Sequence, residues 1–102
     1  MFNVKEKLLV NIKGVEYKVY FVDEMFNVCG LTDCGIKKIY ISILEDKEEM
    51  FETLVHELIH AYLEECGLIS YAKDEVLISW LEQHFFELYN QFEDIYVRSD
   101  LL

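Results

Sequence analysis

Two histidines four residues apart, His56 and His60, constrain this chain more than any other feature of its sequence. In a helix, four residues advance about 400° around the axis and about 6 Å along it, so both imidazoles lie on one face. This spacing is typical of two ligands of one metal ion, and Glu57 is placed to hydrogen-bond a water on that metal as a general base. Because the chain has only 3 histidines, the pattern should arise by chance in roughly one such sequence in a hundred. The sequence therefore predicts a helical metal site, with zinc as the metal.

The length and composition predict one domain spanning residues 1–102. A chain of 102 residues that is 53% hydrophobic has enough apolar material for a core of its own. It contains no proline and only 4 glycines, which favours a few regular elements with short connections.

The charge balance argues against two classes of partner. With 20 acidic and 9 basic residues, the net charge is −11, which repels nucleic-acid phosphates and anionic membrane surfaces. No apolar run approaches the roughly 18 residues of a transmembrane helix. We therefore expect no nucleic acid and no membrane among the partners.

The three cysteines are expected to be reduced thiols. Cys29, Cys34 and Cys66 are odd in number and form no recognised disulfide framework, and no amino-terminal signal pattern is present. The spacing of Cys29 and Cys34 is looser than that of most zinc knuckles. These features predict a cytoplasmic protein.

Alternating apolar residues predict strands in the first half of the chain. A β-hairpin is predicted over Leu8 to Val22 with Gly14 at its turn, and a third strand is predicted over Lys37 to Ile43. Asp23 to Val28 fits either a short helical turn or an irregular link. Gly30 to Gly35 has the composition of a turn.

A first helix is predicted to begin at Asp46 and to end at Gly67. The Asp46 carboxylate can cap the free N–H groups, Glu49 completes a capping-box-like pair, and Gly67 suits a left-handed carboxy-terminal cap. Six residues at helical spacing form the predicted buried stripe, which His56 and His60 flank: Phe51, Leu54, Val55, Leu58, Ile59 and Tyr62.

A second helix is predicted from about Lys73 into the nineties, with Asp74 and Glu75 at its positive end. Its inner face is expected to belong to the core, although part of its width would also suit a homodimer contact. The tail from Arg98 to Leu102 is expected to fray. The residues of the predicted inner face are Leu77, Leu81, Phe85, Leu88, Phe92 and Ile95, extended by Ile78, Tyr89 and Tyr96.

A catalytic zinc site usually needs a third protein ligand, and the residues leave four candidates. Glu75 is favoured because a carboxylate in the first turn of the second helix can point across at the first helix. His84, Glu82 and Cys66 remain as alternatives. His84 also fits a packed histidine on an apolar face, and Cys66 is carried away from the metal if its helix continues.

These motifs resemble a known family. The stretch His56 to Tyr62, then Gly67-Leu68, then Asp74 to Trp80 is similar to the small phage and bacterial metallopeptidase-like proteins near the ImmA/IrrE group, and to gluzincins generally. The resemblance covers about residues 30 to 90. It implies an α+β, zincin-like fold in which an antiparallel sheet of about three strands packs on the histidine-bearing helix and on a second, glutamate-bearing helix.

The resemblance also implies roles for individual residues. His56, His60 and Glu75 match the zinc ligands, and Glu57 matches the general base. The last strand, Lys37 to Ile43, is expected to border a substrate cleft where an extended peptide adds to the sheet.

The chain departs from the family pattern at Ser79. Gluzincins often have an aspartate four residues after the ligand glutamate, and that aspartate orients the first histidine. Ser79 brings no charge to that position. No residue matches the stabiliser of the tetrahedral intermediate securely, and Tyr62 and Tyr71 are the candidates.

Three hypotheses about function follow. The leading one is a zinc-dependent metallopeptidase that acts on a peptide or protein substrate, with Glu57 moving the proton. In the second, the zinc is bound but does no chemistry, and the four protein ligands of a structural site would distinguish it. The third is an acidic interaction protein, of the kind that phages encode, that binds a basic partner and does not need the metal.

Overall fold

The computed structural model describes residues 3–23, 25 and 27–102, and within these the chain forms an α+β domain with a four-stranded mixed sheet and three helices. The strand order in the sheet is β1, β2, β4, β3. The pairs β1/β2 and β3/β4 are antiparallel, whereas β2/β4 is parallel. The elements in chain order are β1 (Val4–Ile12), β2 (Val15–Val22), β3 (Gly30–Asp33), β4 (Lys38–Ser42), α1 (Lys47–Glu65), α2 (Ile69–Ala72) and α3 (Glu75–Arg98).

The predicted hairpin is present and starts earlier than expected, at Val4. Its two turn residues, Lys13 and Gly14, both have positive φ, at 54° and 87°. That backbone belongs to the two-residue turn whose twist matches the twist of the flanking strands. The side-chain oxygen of Asn11 accepts a hydrogen bond of 2.8 Å from the Gly14 N–H and closes the turn.

The sheet contains one strand more than the three expected, because Gly30–Asp33 forms β3. A four-residue strand with a glycine has too few side chains to show alternation, and its hydrogen-bonding partner, β4, lies further along the chain. The turn itself follows the strand, where Asp33 Oδ1 accepts from the N–H groups of Gly35 and Ile36. The expected turn was therefore placed about four residues too early.

The position of β4 also corrects an expectation. β4 pairs with β2 on one side and β3 on the other, so it lies inside the sheet and cannot receive an added strand. Its parallel pairing with β2 makes the sheet mixed rather than antiparallel. Alternation within a strand does not encode the direction of its neighbour, so the sequence pattern could not predict this. Among the described strands, β3 is the edge nearer to α1.

The link from Asp23 to Val28 is only partly described. Glu24 and Phe26 lie outside the described residues, so the choice between a helical turn and an irregular link is not decided there. Met25 is buried, and Asn27 has a φ of 63°.

Helix α1 begins and ends where its capping residues predict. The Asp46 carboxylate accepts a hydrogen bond of 2.8 Å from the Glu49 N–H. At the other end, Gly67 has a φ of 80°, and the N–H of Leu68 donates back to the carbonyl of Leu63 at 2.9 Å. These bonds satisfy carbonyls that the helix end leaves free.

The buried face of α1 is narrower than predicted and differs in composition. Glu57 and Ala61 are its buried residues, whereas Phe51 and Tyr62, which were expected in the core, are about half exposed. Leu54 and Leu58 still pack at the margin of the core. Ala61 belongs to the core cluster of the sheet, whose other buried members are Ile12, Tyr17, Val19, Ile39 and Ile41.

Helix α3 packs on the domain mainly through its amino-terminal half. Asp74 caps it, accepting from the Leu77 N–H at 3.1 Å, and Ile78 is its one fully buried residue among those described. Beyond the middle of the helix, Leu88 is 67% exposed and Phe92 is 56% exposed. The prediction that the whole inner face belongs to the core is therefore wrong for this half, because the sheet and α1 do not extend far enough to cover it. No helix in the described part of the chain is both long and apolar enough to cross a bilayer.

A polar contact joins the end of α1 to the sheet. The hydroxyl of Tyr17, a fully buried residue, donates to Glu65 Oε2 at 2.5 Å, and Lys37 Nζ lies 2.7 Å from the same oxygen. The hydrogen bond from Lys37 lowers the pKa of Glu65. Burial, followed by the bond to Glu65, raises the pKa of Tyr17. This contact fixes the carboxy-terminal end of the histidine-bearing helix against β2.

Candidate metal centre

The two histidines of α1 meet the first residue of α3. Glu75 Oε1 lies 2.7 Å from His60 Nε2, and Glu75 Oε2 lies 3.1 Å from His56 Nε2. One carboxylate thus spans both imidazoles, each through the same ring atom. The structure therefore brings together the three residues predicted as ligands: His56, His60 and Glu75.

The other nitrogen of each imidazole is also engaged. His60 Nδ1 lies 2.6 Å from the carbonyl oxygen of Ala72 in α2, and His56 Nδ1 lies 3.0 Å from Glu82 Oε1 in α3. Carbonyl and carboxylate oxygens only accept hydrogen bonds, so each Nδ1 must carry the proton that it donates. In a neutral imidazole this leaves a lone pair on Nε2.

The consequence is that each Nε2 lone pair faces the Glu75 carboxylate, which is itself an acceptor. A cation at this place would satisfy these lone pairs. Two imidazole nitrogens and one carboxylate are a donor set that suits zinc. The residues present fit a zinc ion on this ground.

Glu82, rather than Ser79, is the residue of α3 that contacts His56 Nδ1. Ser79 is exposed, whereas Glu82, seven residues after Glu75 and on the same side of α3, reaches His56 Nδ1. Glu82 was a candidate for the third ligand, but its carboxylate meets the ring nitrogen opposite to the one that meets Glu75.

The remaining candidate ligands and the two candidate stabilisers of the intermediate lie away from the two histidines. His84 stacks on Trp80 with ring centroids 4.0 Å apart and lines an apolar groove between α1 and α3. Cys66 is exposed at the carboxy-terminal cap of α1. Tyr62 lines the same apolar groove rather than the centre, and Tyr71 is about half exposed on α2.

Glu57, a residue of α1, is buried against the edge strand β3. It is 8% exposed, and the Thr32 hydroxyl lies 2.8 Å from its Oε1 and 3.1 Å from its backbone oxygen. Ligand atoms of Glu57, His56 and His60 all lie within 4.8 Å of one another. Glu57 is therefore close enough to the two imidazoles either to assist a metal or to bind it.

Gly30 allows this close approach of β3 to the helix. A Cβ at position 30 would lie 2.7 Å from Thr53 Cγ2 and 2.9 Å from Glu57 Cγ, distances at which the neighbouring atoms must move. Neither Gly30 nor Thr32 was predicted to belong to the site, because the stretch that contains them has the composition of a turn. No periodic signal could have identified them, since their partners lie in another element.

Replacement of Gly30 by alanine is expected to destabilise the domain by about 1–3 kcal/mol, the usual effect of overpacking. Chemical denaturation measures this change in the free energy of unfolding. The control is Gly35→Ala, where the new Cβ would meet only the Asp33 carboxylate oxygen, at 3.2 Å. Equal stability of the two variants would show that β3 and α1 are not in tight contact.

Two cavities open on either side of Glu75. One, of about 400 Å³, is lined by residues that include Thr32, His60 and Lys73. The other, of about 460 Å³, contains His56 and Glu57 and is strongly acidic. Its glutamates are Glu45, Glu49, Glu52, Glu57, Glu75 and Glu82.

The outer wall of the acidic cavity contains a carboxyl pair. A hydrogen bond that Glu49 donates to the neighbouring Glu45 raises the pKa of Glu49, while the same bond, followed by one from the Cys29 thiol, lowers the pKa of Glu45. Cys29 Sγ lies 3.2 Å from Glu45 Oε1, and this bond raises the pKa of the thiol. Cys34 follows the other end of β3, so the two cysteines do not form one site.

Comparisons of this chain with protein-family models, with curated proteins and with solved structures found no match.

Proposed function

We propose that this protein is a zinc-dependent metallopeptidase. The observation that carries the proposal is the bridge of Glu75 across the Nε2 atoms of His56 and His60, with the buried carboxylate of Glu57 beside them. His56, His60 and Glu75 would hold the ion. A bound zinc ion supplies Lewis acidity and brings the pKa of an attacking water toward neutrality.

Glu57 would move the proton in this reaction. Its carboxylate takes a proton from the water as the water oxygen forms a bond to the peptide carbonyl carbon. The protonated Glu57 then gives that proton to the departing amine as the C–N bond breaks, and this returns the carboxylate to its starting state. Thr32 holds the carboxylate in place, and Glu82 and the Ala72 carbonyl hold the two imidazoles.

The substrate would add to β3 rather than to β4. Among the described residues, β3 is hydrogen-bonded only to β4, so its outer edge is available for an extended peptide. A peptide lying there passes Thr32 and the Glu57 carboxylate that Thr32 contacts.

One observation favours a second candidate, a zinc site without catalysis. Glu57 lies near enough to His56 and His60 to be a fourth protein ligand, and four protein ligands are typical of a structural site. In that case the ion would join α1 to α3 and stabilise the domain. The two candidates differ in the role of Glu57.

Metal removal tests the proposal. The protein loaded with one equivalent of zinc is expected to cleave a mixture of unstructured peptides, detected as new termini by mass spectrometry. Removal of the ion with a chelator should abolish cleavage, and added zinc should restore it. Cleavage that persists in the chelated protein, or a protein that does not retain zinc through gel filtration, would contradict the proposal.

A further inference from the structure

The exposed half of α3 presents an apolar stripe at regular spacing. Leu81, Phe85, Leu88, Phe92 and Ile95 recur at alternating intervals of four and three residues, the repeat that forms a continuous seam on a helix. We call these five residues the α3 seam. Its first residue is partly buried on the domain, whereas Leu88, Phe92 and Ile95 are between 51% and 67% exposed.

The seam continues into the groove between α1 and α3. This groove has a volume of about 770 Å³ and is lined mainly by apolar side chains, including Leu58, Ile59 and Tyr62 from α1. Leu81, Phe85 and Leu88 belong both to the groove and to the seam. The domain therefore carries a groove and a projecting apolar helix side by side on one face.

We propose that a second copy of this chain covers this face, with the two α3 helices antiparallel. In that arrangement the projecting half of each α3 lies in the groove of the other copy. Leu88 lies near the two-fold axis, Phe92 meets Phe85 of the other copy, and Ile95 meets Leu81. The same surface is used on both copies, as a two-fold interface requires.

The projecting half of α3 and the groove that would receive it have similar lengths. The projecting segment from residue 89 to residue 98 is about 15 Å long. The groove contains residues of α3 from Trp80 to Gln91, so it offers a comparable length. A parallel arrangement would instead bring the two projecting halves together and leave both grooves open.

The charges favour a second copy over a different partner. A protein with a net charge of −11 repels itself, so self-association is favoured through a face that carries few acidic residues. Beside the seam in the projecting half, Tyr89 and Tyr96 stand on one flank and Gln91 and Arg98 on the other. The acidic residues of this segment, Glu93 and Asp94, lie off the seam, and one glutamate, Glu87, lines the groove. A basic partner drawn by the net charge would meet one carboxylate, Glu87, in the groove and none on the seam.

The exposed apolar area of this face is also large enough for a dimer contact. Six side chains of this face are each between 44% and 67% exposed: Phe85, Leu88, Tyr89, Phe92, Ile95 and Tyr96. At about 200 Å² for a large side chain, they present on the order of 600 Å², close to the roughly 800 Å² that each partner buries in a stable complex.

Sedimentation equilibrium of the whole chain tests association. The wild type is expected at twice 12.2 kDa. Phe92→Asp should weaken association on the order of 100-fold, as expected at the centre of an interface. Val97→Asp is the matched control: it adds the same charge to the same half of α3, but at a residue on the opposite side of the helix that is 76% exposed, and it should leave the dimer intact. Circular dichroism checks that both variants are folded.

Cross-linking tests the orientation. In a chain with Cys29, Cys34 and Cys66 replaced by serine, Leu88→Cys should form a disulfide between copies, whereas Ile95→Cys should not, because antiparallel packing separates the two 95 positions by about 20 Å. A monomeric wild type at all soluble concentrations, equal weakening by Phe92→Asp and Val97→Asp, or a cross-link through position 95 would overturn the proposal.

Discussion

The variant Glu57→Gln is expected to retain one zinc ion per chain and to lose peptide hydrolysis by a factor of about 10²–10⁴, the usual contribution of a general acid–base group. Glutamine has the same shape as glutamate and keeps an oxygen that can accept from the Thr32 hydroxyl, 2.8 Å from Glu57 Oε1 in the wild type. It cannot take the proton from water. Fold and metal content should therefore be preserved while proton transfer is lost.

The control for this variant is Glu52→Gln. Glu52 lines the same acidic cavity, so the substitution removes the same charge from the cavity without changing the proposed base. Hydrolysis and zinc content are measured on both proteins. Unchanged hydrolysis in Glu57→Gln would refute its role as a base, whereas loss of zinc would identify Glu57 as a ligand and favour the non-catalytic site.

Zinc affinity should separate the roles of the two glutamates of α3. Glu75→Ala removes the carboxylate that meets both Nε2 atoms and is expected to weaken zinc binding by far more than 100-fold. Glu82→Ala removes only the partner of His56 Nδ1, and loss of such an orienting group typically weakens binding about 10–100-fold. Competition with a chromophoric chelator measures both changes.

The exposed Ser79 provides the control for this pair. Ser79→Ala should leave zinc affinity unchanged, because the orienting charge comes from Glu82. A loss at Ser79→Ala equal to that at Glu82→Ala would contradict the assignment. If Glu82→Ala weakens binding as much as Glu75→Ala, the two carboxylates act as equal ligands instead.

Features that depend on neighbouring residues could be predicted from the sequence. The caps at Asp46 and Asp74 and the stop at Gly67 form within one or two turns of the chain, so local chemistry determines them. The position of Glu75 beside the two histidines was predictable for a related reason: a short connection between two packed helices leaves few places for the first turn of the second helix.

Features that depend on distant partners could not be predicted in this way. The contact of Glu82 with His56 spans 26 residues, and that of Thr32 with Glu57 spans 25. The spacing of Glu82 from Glu75 was visible in the sequence, but nothing in it showed which ring nitrogen each would meet. The exposure of the α3 seam could not be predicted, because an apolar stripe has the same sequence pattern whether its own domain or a second molecule covers it.

The two acceptors of the Thr32 hydroxyl have a consequence for the protonation of Glu57. The hydroxyl has one hydrogen and lies within bonding distance of both the side-chain and the backbone oxygen of Glu57. When the carboxylate gains a proton, the hydroxyl can rotate to donate to the backbone oxygen and accept from the new acid group. The Thr32 hydroxyl can therefore stay hydrogen-bonded to Glu57 throughout the proposed proton transfer.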